Sequence, residues 1–201
     1  MPETGFSLRR IRIHLRKWIG LYIAATIALC FLNHLVYTMT RPGFSDDERL
    51  KIMLLNTDAQ LSAPEYEALG DTLLAQIRRE NEGVLTVEFE PLAGVRADDP
   101  AGMMLLGTKL IGGYGDIYLC DRAGLEALAS RAALLDLGGM QIGGCEGASC
   151  VHPETGKEIT GGLRMEGSIF GNEIYLCVAA NGTDTQGAAA ALPHLAECIK
   201  E

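Results

Sequence analysis

Apolar positions divide the chain into one long uninterrupted stretch and a series of shorter runs. Residues 18–40 form a stretch of 23 positions without Lys, Arg, Asp or Glu. A helix of that length, at ~1.5 Å per residue, is long enough to cross a hydrocarbon core of ~30 Å. The later runs are only a few residues long. The pattern predicts one membrane-spanning helix followed by a folded domain.

Strand and helix patterns alternate in the first part of that domain. Residues 52–55 and 115–120 are almost continuously apolar, which predicts buried parallel strands. Residues 85–90 alternate apolar and polar positions, which predicts a further strand. Candidate capping residues precede the helical segments between and after them: Ser62, Asp99 and Asp121. This order is typical of βαβ units and a parallel sheet.

The alternation stops where glycine becomes frequent. Residues 138–171 predict a loop-rich insert, with a hairpin turn at 152–157. An apolar run at 173–180 follows, and because no crossover helix precedes it, we expect an antiparallel strand beside 117–120. The predicted fold class is therefore α/β. It is a three-layer α/β/α domain with a mostly parallel sheet plus one antiparallel returning strand, preceded by one transmembrane helix.

Charge separates the two parts of the chain. Five basic residues and one acidic residue lie within the first 40 positions, all five basic ones before the apolar stretch. This bias places the N-terminus in the cytoplasm. The predicted organisation is a cytoplasmic basic tail at 1–17, a transmembrane helix at 18–40, a tether at 41–49, and an extracytoplasmic domain at 50–201 that contains the glycine-rich insert 138–171.

The folded part is strongly acidic. The remaining 161 residues hold 12 basic and 25 acidic side chains, a net charge of -13. Nucleic acids bind to surfaces of Lys and Arg, so nucleic acid is excluded as an expected partner.

The apolar stretch has two alternative interpretations. A basic region followed by apolar residues is also the signature of a cleaved signal peptide, although such a peptide has a shorter apolar region. A lipoprotein cleavage box at Cys30 is a second alternative, but Leu29 stands where that box needs a small residue. Asn33 and His34 near the outer end are expected at the membrane interface, with a helix contact or proton site as the alternative.

Several segments of the outer domain share their apolar spacing with a known family. They are 115–121 with Leu125 and Leu128, 134–137, 174–181, 188–191 and Leu195. This spacing resembles the extracellular solute-binding proteins of ABC transporters, over roughly residues 50–201. The resemblance implies a single lobe, because these proteins insert a second lobe where this chain has only 138–171. With one lobe, there is no cleft between lobes to close around a solute.

Polar residues follow two of the predicted parallel strands. Ligands of open α/β sheets bind beyond the carboxyl ends of the strands. The weak candidates for ligand binding are therefore Thr57, Asp58, Asp121 and Arg122. Residues at such positions also serve as helix caps and turns, which is the alternative role for all four.

Cysteines offer the most reactive side chains of the outer domain. Cys145 and Cys150 lie in the glycine-rich insert and are a candidate disulfide, because an extracytoplasmic location permits one. Free thiols are the alternative, and His152 adds only a third ligand at no standard zinc spacing, so no metal site is predicted. Cys120 and Cys177 end similar apolar runs and are expected to be buried and reduced, with a cross-strand bridge as the alternative.

No motif of the sequence carries recognisable catalytic chemistry. The segment 112–115 fits neither the phosphate-loop nor the dinucleotide pattern, and Ser168 lacks the nucleophile elbow. No catalytic residue and no cofactor are predicted. The expected function is a non-enzymatic, membrane-anchored binding, sensing or interaction domain with a small solute or a membrane protein as partner. The alternatives are a cell-surface enzyme and a structural subunit of a membrane complex.

Overall fold

The chain forms two compact units, Met1–Gly43 and Phe44–Glu201. The structure is a computed structural model, and it describes residues 8–40, 45, 48–57, 61–79, 83–92, 94–96 and 98–200. The first unit contains helix α1 (Leu8–Thr40). Within the described residues, one helical stretch, Trp18–Val36, is long and apolar enough to cross a membrane, with a mean hydropathy of 1.9. A signal sequence near the N-terminus of a chain can also be this long and apolar.

The second unit alternates strands and helices in the order that the sequence predicts up to the fourth helix. Its elements are β1 (Arg49–Leu55), α2 (Ala63–Ile77), β2 (Thr86–Leu92), α3 (Pro100–Ile111), β3 (Ile117–Cys120), α4 (Arg122–Ala129), β4 (Cys145–Val151), β5 (Glu158–Ser168), β6 (Gly171–Val178) and α5 (Thr185–Cys198).

The six strands found among the described residues form one sheet in the order β2-β1-β3-β6-β5-β4. Strand β1 pairs in parallel with both β2 and β3. Strand β6 pairs antiparallel with β3, with Ile117 opposite Val178 and Cys120 opposite Tyr175. This confirms the predicted antiparallel returning strand. Strands β5 and β4 extend the sheet beyond β6 through two further antiparallel pairings, so four strands run in one direction and two in the other.

The glycine-rich segment is not the loop-rich insert that the sequence predicted. It contains strands β4 and β5, although the predicted turn between them is present, with the His152 amide donating to the Lys157 carbonyl at 2.8 Å. Close packing explains why glycines occupy positions in these strands. A Cβ atom on Gly161 would lie 2.3 Å from Cys150 Sγ, and one on Gly162 would lie 2.8 Å from Cys177 Sγ. Glycine here permits close approach between side chains and a neighbouring backbone.

Alternate residues of β1 enter two different hydrophobic clusters. Leu50, Ile52 and Leu54 pack with buried residues of α2 and α5. Met53 and Leu55 pack with buried residues of α3 and α4. Because successive side chains of a strand point to opposite faces, β1 is buried on both faces, which explains its continuous apolar run.

Local signals at the helix starts behave as predicted in three cases. The Glu65 carboxylate accepts from the Ser62 amide at 2.6 Å, while Asp99 and Asp121 accept from amides in the first turns of α3 and α4. At α5 the cap is Asp184, which accepts from the Gly187 amide at 2.8 Å. These short-range contacts place the helix starts, and the start of α4 lies at the candidate site.

Candidate functional site

The carboxyl ends of β1 and β3 are joined by one asparagine. Asn56 directly follows β1 with a positive φ of 53°. Its Nδ2 donates to the Val95 carbonyl at 2.5 Å and to Asp121 Oδ1 at 3.1 Å, and the Val95 amide donates to Asn56 Oδ1 at 2.9 Å. Asparagine tolerates this left-handed backbone. Asn56 therefore fixes the ends of both strands, and sequence analysis missed it although it directly precedes Thr57.

The sequence-predicted ligand residues have different roles in this arrangement. Asp121 caps α4, accepting from the Gly124 amide at 2.7 Å as well as from Asn56. Arg122 is exposed, and its Nε donates to Glu126 Oε1 at 2.9 Å. Thr57 is half-buried at the end of β1, and Asp58 lies outside the described residues. The structure thus joins the two strand ends through Asp121 and leaves Arg122 at the surface.

A row of polar side chains continues from Arg122 across three further strands. The Arg122 guanidinium lies 5.9 Å from the centroid of the Tyr175 ring. Tyr175 donates from its hydroxyl to Glu173 Oε1 at 2.5 Å, and Arg164 Nε lies 3.1 Å from the same oxygen. We call this set of residues the carboxyl-edge row. It consists of Arg122, Tyr175, Glu173, Arg164, Glu166 and Glu146.

Strand register builds this row. Tyr175 lies opposite Cys120 on one side and opposite Arg164 on the other, and Arg164 lies opposite Glu146. Directly opposed residues of neighbouring strands share a face and stand within contact distance. The available sequence signal was the alternation of Arg164 with its apolar neighbours on β5, but the surrounding glycines favoured a loop.

Arg164 also contacts the two carboxylates at the far end of the row. Its Nη2 donates to Glu166 Oε1 at 2.6 Å and its Nη1 to Glu146 Oε2 at 3.5 Å. The two glutamate side chains are 70% and 81% exposed. These three residues, with Gly144 and Cys145, line a groove of ≈ 350 Å³. The groove therefore presents two exposed carboxylates to solvent.

Ionisation within the row follows from these contacts. The hydrogen bond from Tyr175 and the contact with Arg164 hold the pKa of Glu173 below its usual range. Burial and the bond to Glu173 raise the pKa of Tyr175. The contact of Arg164 with Glu173 raises the pKa of that guanidinium. At neutral pH Glu173 is therefore ionised, Tyr175 is a neutral phenol and Arg164 is a charged guanidinium.

The prediction of a disulfide between Cys145 and Cys150 is wrong. Both lie on the extended strand β4, opposite Met165 and Ile159 respectively, and both thiols are free. Five strand residues at ~3.3 Å each separate their Cα atoms by roughly 16 Å, far beyond the ~7 Å limit for a disulfide. The expected ring does not exist because the segment is a strand instead of a loop.

The buried cysteines match the expectation of reduced thiols. Cys120 and Cys177 lie on adjacent strands with their Sγ atoms 4.0 Å apart, and both are free. Burial raises the pKa of Cys120, and burial also raises the pKa values of Cys145 and Cys150. The thiols of Cys120, Cys145 and Cys150 are therefore protonated at neutral pH and are weak nucleophiles. Among the residues that the structure describes, no group of three or more His, Cys, Asp or Glu side chains is arranged to hold a metal ion.

Comparisons with known proteins add no relative. No family model, curated protein or solved structure matches the chain. The interpretation of the carboxyl-edge row therefore depends on its own geometry and charge.

Replacing Tyr175 by Phe is expected to raise the pKa of Glu173 toward its ordinary value. The substitution removes the hydroxyl that donates to the Glu173 carboxylate, which is the largest cause of the lowered pKa. NMR titration of the Glu173 carboxyl carbon measures the change. Tyr66→Phe is the matched control. It also removes one tyrosine hydroxyl, but from a separate aromatic cluster in which Tyr66 packs with Phe89 and Phe170. An unchanged Glu173 titration in Tyr175→Phe would contradict the proposed contact.

Proposed function

We propose that the chain is a membrane-anchored, non-enzymatic binding protein whose α/β domain lies outside the cytoplasm and takes up a small, amine-bearing solute at the carboxyl-edge row. The row is the observation that carries this proposal. It continues from the carboxyl end of β3 across the antiparallel half of the sheet and ends at a groove with two exposed carboxylates. Ligands of α/β sheets bind at such edges.

The anchor and its orientation rest on hydropathy and charge. Trp18–Val36 has the length and apolarity of a membrane span. Five basic residues precede it, which favours a cytoplasmic N-terminus by the positive-inside rule. The domain that follows the tether would then face the outside. A signal anchor that stays attached is the form we propose.

A three-layer arrangement of the domain would explain how the row stays accessible. In this arrangement α2 and α5 cover one face of the sheet, and α3 and α4 cover the other. The division of the apolar residues into two clusters supports it. The short helix α4 begins at Arg122 and would leave the glutamates at the far end of the row uncovered, as their exposure suggests.

The preference for an amine follows from the charges at the groove. Arg164 contacts Glu146, Glu166 and Glu173, and the Lys200 ammonium lies beside Gly144 in the groove lining, so three carboxylates face two cations there. The domain as a whole is also acidic, with a net charge of -13 after residue 40. A positively charged solute is attracted by both fields, whereas an anion is repelled.

The non-enzymatic part of the proposal rests on how the reactive groups are used. The pKa values of Cys120, Cys145, Cys150 and Cys198 are all raised by burial, which keeps these thiols protonated. Asp121 and Glu173 are already engaged as hydrogen-bond acceptors. The resemblance to one lobe of a solute-binding protein is part of the same proposal, and it rests on the apolar spacing of the sequence.

Calorimetric titration of the full chain in detergent tests the proposal. We expect putrescine, a diamine, to bind and succinate, a dicarboxylate of similar length, not to bind. The double variant Glu146→Gln with Glu166→Gln is expected to weaken putrescine binding by about tenfold, because charge-assisted contacts are lost. Glu154→Gln, in the exposed turn after β4, is the matched control. Binding of putrescine that is equal in all variants, or absent in the parent chain, would contradict the proposal.

A further inference from the structure

Helix α3 exposes apolar side chains that the domain core does not use. Its buried face includes Leu106 and Leu110, but Met104 is 74% exposed and Ile111 is 91% exposed. Leu105 is also exposed. A surface helix normally carries polar residues on the side that faces water, and large exposed apolar groups that lie together mark an interaction surface.

Basic and aromatic side chains adjoin the C-terminal end of this helix. The Tyr114 ring has the ammonium groups of Lys109 and Lys51 at 4.5 Å and 5.4 Å from its centroid. Lys51, Tyr114 and Arg49 line one groove together with Gly112, Glu88 and Glu90. With Lys109 beside it, the groove combines three basic residues and two acidic ones, in a domain that is otherwise strongly acidic. Arg49 contacts Glu88 and Lys109 contacts Glu90, so the groove has one positive charge in excess.

The position of this groove links it to the proposed anchor. Arg49 is the first residue of β1, where the chain enters the sheet. Helix α1 ends at Thr40, so nine residue steps join the two, at most about 30 Å of fully extended chain. A tether of that length keeps Arg49, and with it the groove at the end of α3, within reach of a bilayer that holds residues 18–40. Such tethering gives the lipid surface a high effective concentration.

We propose that α3 docks on the outer surface of the membrane that holds the anchor. Met104, Leu105 and Ile111 enter the boundary between headgroups and acyl chains, and the Tyr114 ring lies at the headgroup level, where amphipathic rings are favoured. Lys51, whose ammonium lies over the same ring, extends toward lipid phosphates, while Lys109 stays paired with Glu90. This surface, defined by Met104, Leu105, Ile111 and Tyr114, is called the α3 patch. The inference rests on the proposed function only through the anchor.

Fluorescence quenching in vesicles tests this docking. The full chain has a single tryptophan, Trp18, in the apolar stretch of α1. In a Trp18→Phe background, Ile111→Trp places an indole in the α3 patch, and Val151→Trp places one at a 61% exposed position of β4 as the matched control. The vesicles contain phosphatidylcholine with brominated or unmodified acyl chains, because bromine quenches indoles that enter the bilayer.

The docking proposal has a defined pattern of results. We expect brominated lipid to reduce the emission of the indole from Ile111→Trp by about twofold, and the emission of the Val151→Trp indole hardly at all. Equal, weak quenching at both positions would overturn the docking. An Ile111→Trp indole that is shielded from aqueous acrylamide but not quenched by brominated lipid would also overturn it and would indicate contact between protein copies.

The parent chain separates failure of the docking from failure of the anchor. Quenching of Trp18 by brominated lipid shows that α1 enters the bilayer. If Trp18 is quenched and the Ile111→Trp indole is not, the docking is wrong and the anchor stands. If Trp18 is not quenched, the anchor itself is wrong, and the docking loses the tether on which it depends.

Discussion

Replacing Leu119 by Ala is expected to lower the free energy of unfolding of the α/β unit by about 3 kcal/mol. Leu119 has no exposed surface and lies in the centre of β3, opposite Leu54 of β1 and Leu176 of β6. The shortened side chain would leave a cavity that central strands paired on both sides cannot close. Urea unfolding of the chain in detergent, followed by circular dichroism, measures the change, because the single tryptophan lies outside this unit.

Leu105→Ala is the matched control for that experiment. It removes the same atoms from the exposed side of α3, where Leu105 is 45% exposed. We expect a change of no more than about 0.5 kcal/mol, as for other surface substitutions. Similar losses in both variants would mean that β3 is not the central strand of the sheet.

Asp116→Ala is expected to cost about 2–3 kcal/mol, because it leaves two backbone donors without an acceptor. Asp116 is only 3% exposed. Its carboxylate accepts from the Lys51 amide at 2.9 Å and from the Thr183 amide at 3.1 Å. It therefore ties the start of β3 to β1 and to the loop after β6. The same urea titration measures the loss.

Asp116→Asn provides the control for this loss. An amide offers one oxygen acceptor, but its NH₂ group meets the second backbone N–H without forming a hydrogen bond. We expect it to recover only part of the stability that Asp116→Ala loses. An Ala variant as stable as the parent chain would contradict the role of Asp116 as a buried acceptor.

Burial also gives Asp116 a defined pH dependence. Desolvation raises its pKa above the ordinary aspartate value, despite the opposing effect of the two backbone hydrogen bonds. The folded state therefore binds this proton more tightly than the unfolded state. The contribution of Asp116 to stability is highest below the ordinary pKa of about 4, and it falls as the pH rises through the raised one. Asp116→Asn should remove this fall.

Local sequence signals predicted the parallel half of the sheet correctly. The continuous apolar runs of β1 and β3 follow from burial on both faces, and the caps at Ser62, Asp99 and Asp121 depend on residues within one helical turn. Such signals lie within a few residues of one another in the chain. For this reason they can be read without knowing how the chain folds.

Strands β4 and β5 escaped prediction because their glycines have non-local causes, whereas the antiparallel strand β6 was predicted. Gly161 and Gly162 are small because Cys150 on β4 and Cys177 on β6 approach them across the sheet. Sequence alone shows only that glycine is frequent, which favours a loop. The mistaken loop in turn suggested the disulfide between Cys145 and Cys150, which a strand does not allow.

The candidate site was predicted only at its first residues. Asp121 and Arg122 follow β3 directly, so the general rule for strand ends located them. The rest of the carboxyl-edge row depends on the register that places Tyr175 beside Arg164 and Arg164 beside Glu146. Register is a property of paired strands, and the sequence of a single strand does not specify it.

The orientation of the chain in the membrane is the most direct test of the account as a whole. The measurement uses intact cells that express the full chain with one epitope tag at each end, treated with a protease that does not cross the membrane. We predict loss of the C-terminal tag and survival of the N-terminal tag on a short fragment that includes residues 18–40, while a cytoplasmic marker protein stays intact. Survival of both tags until the cells are lysed would contradict a binding domain outside the cytoplasm.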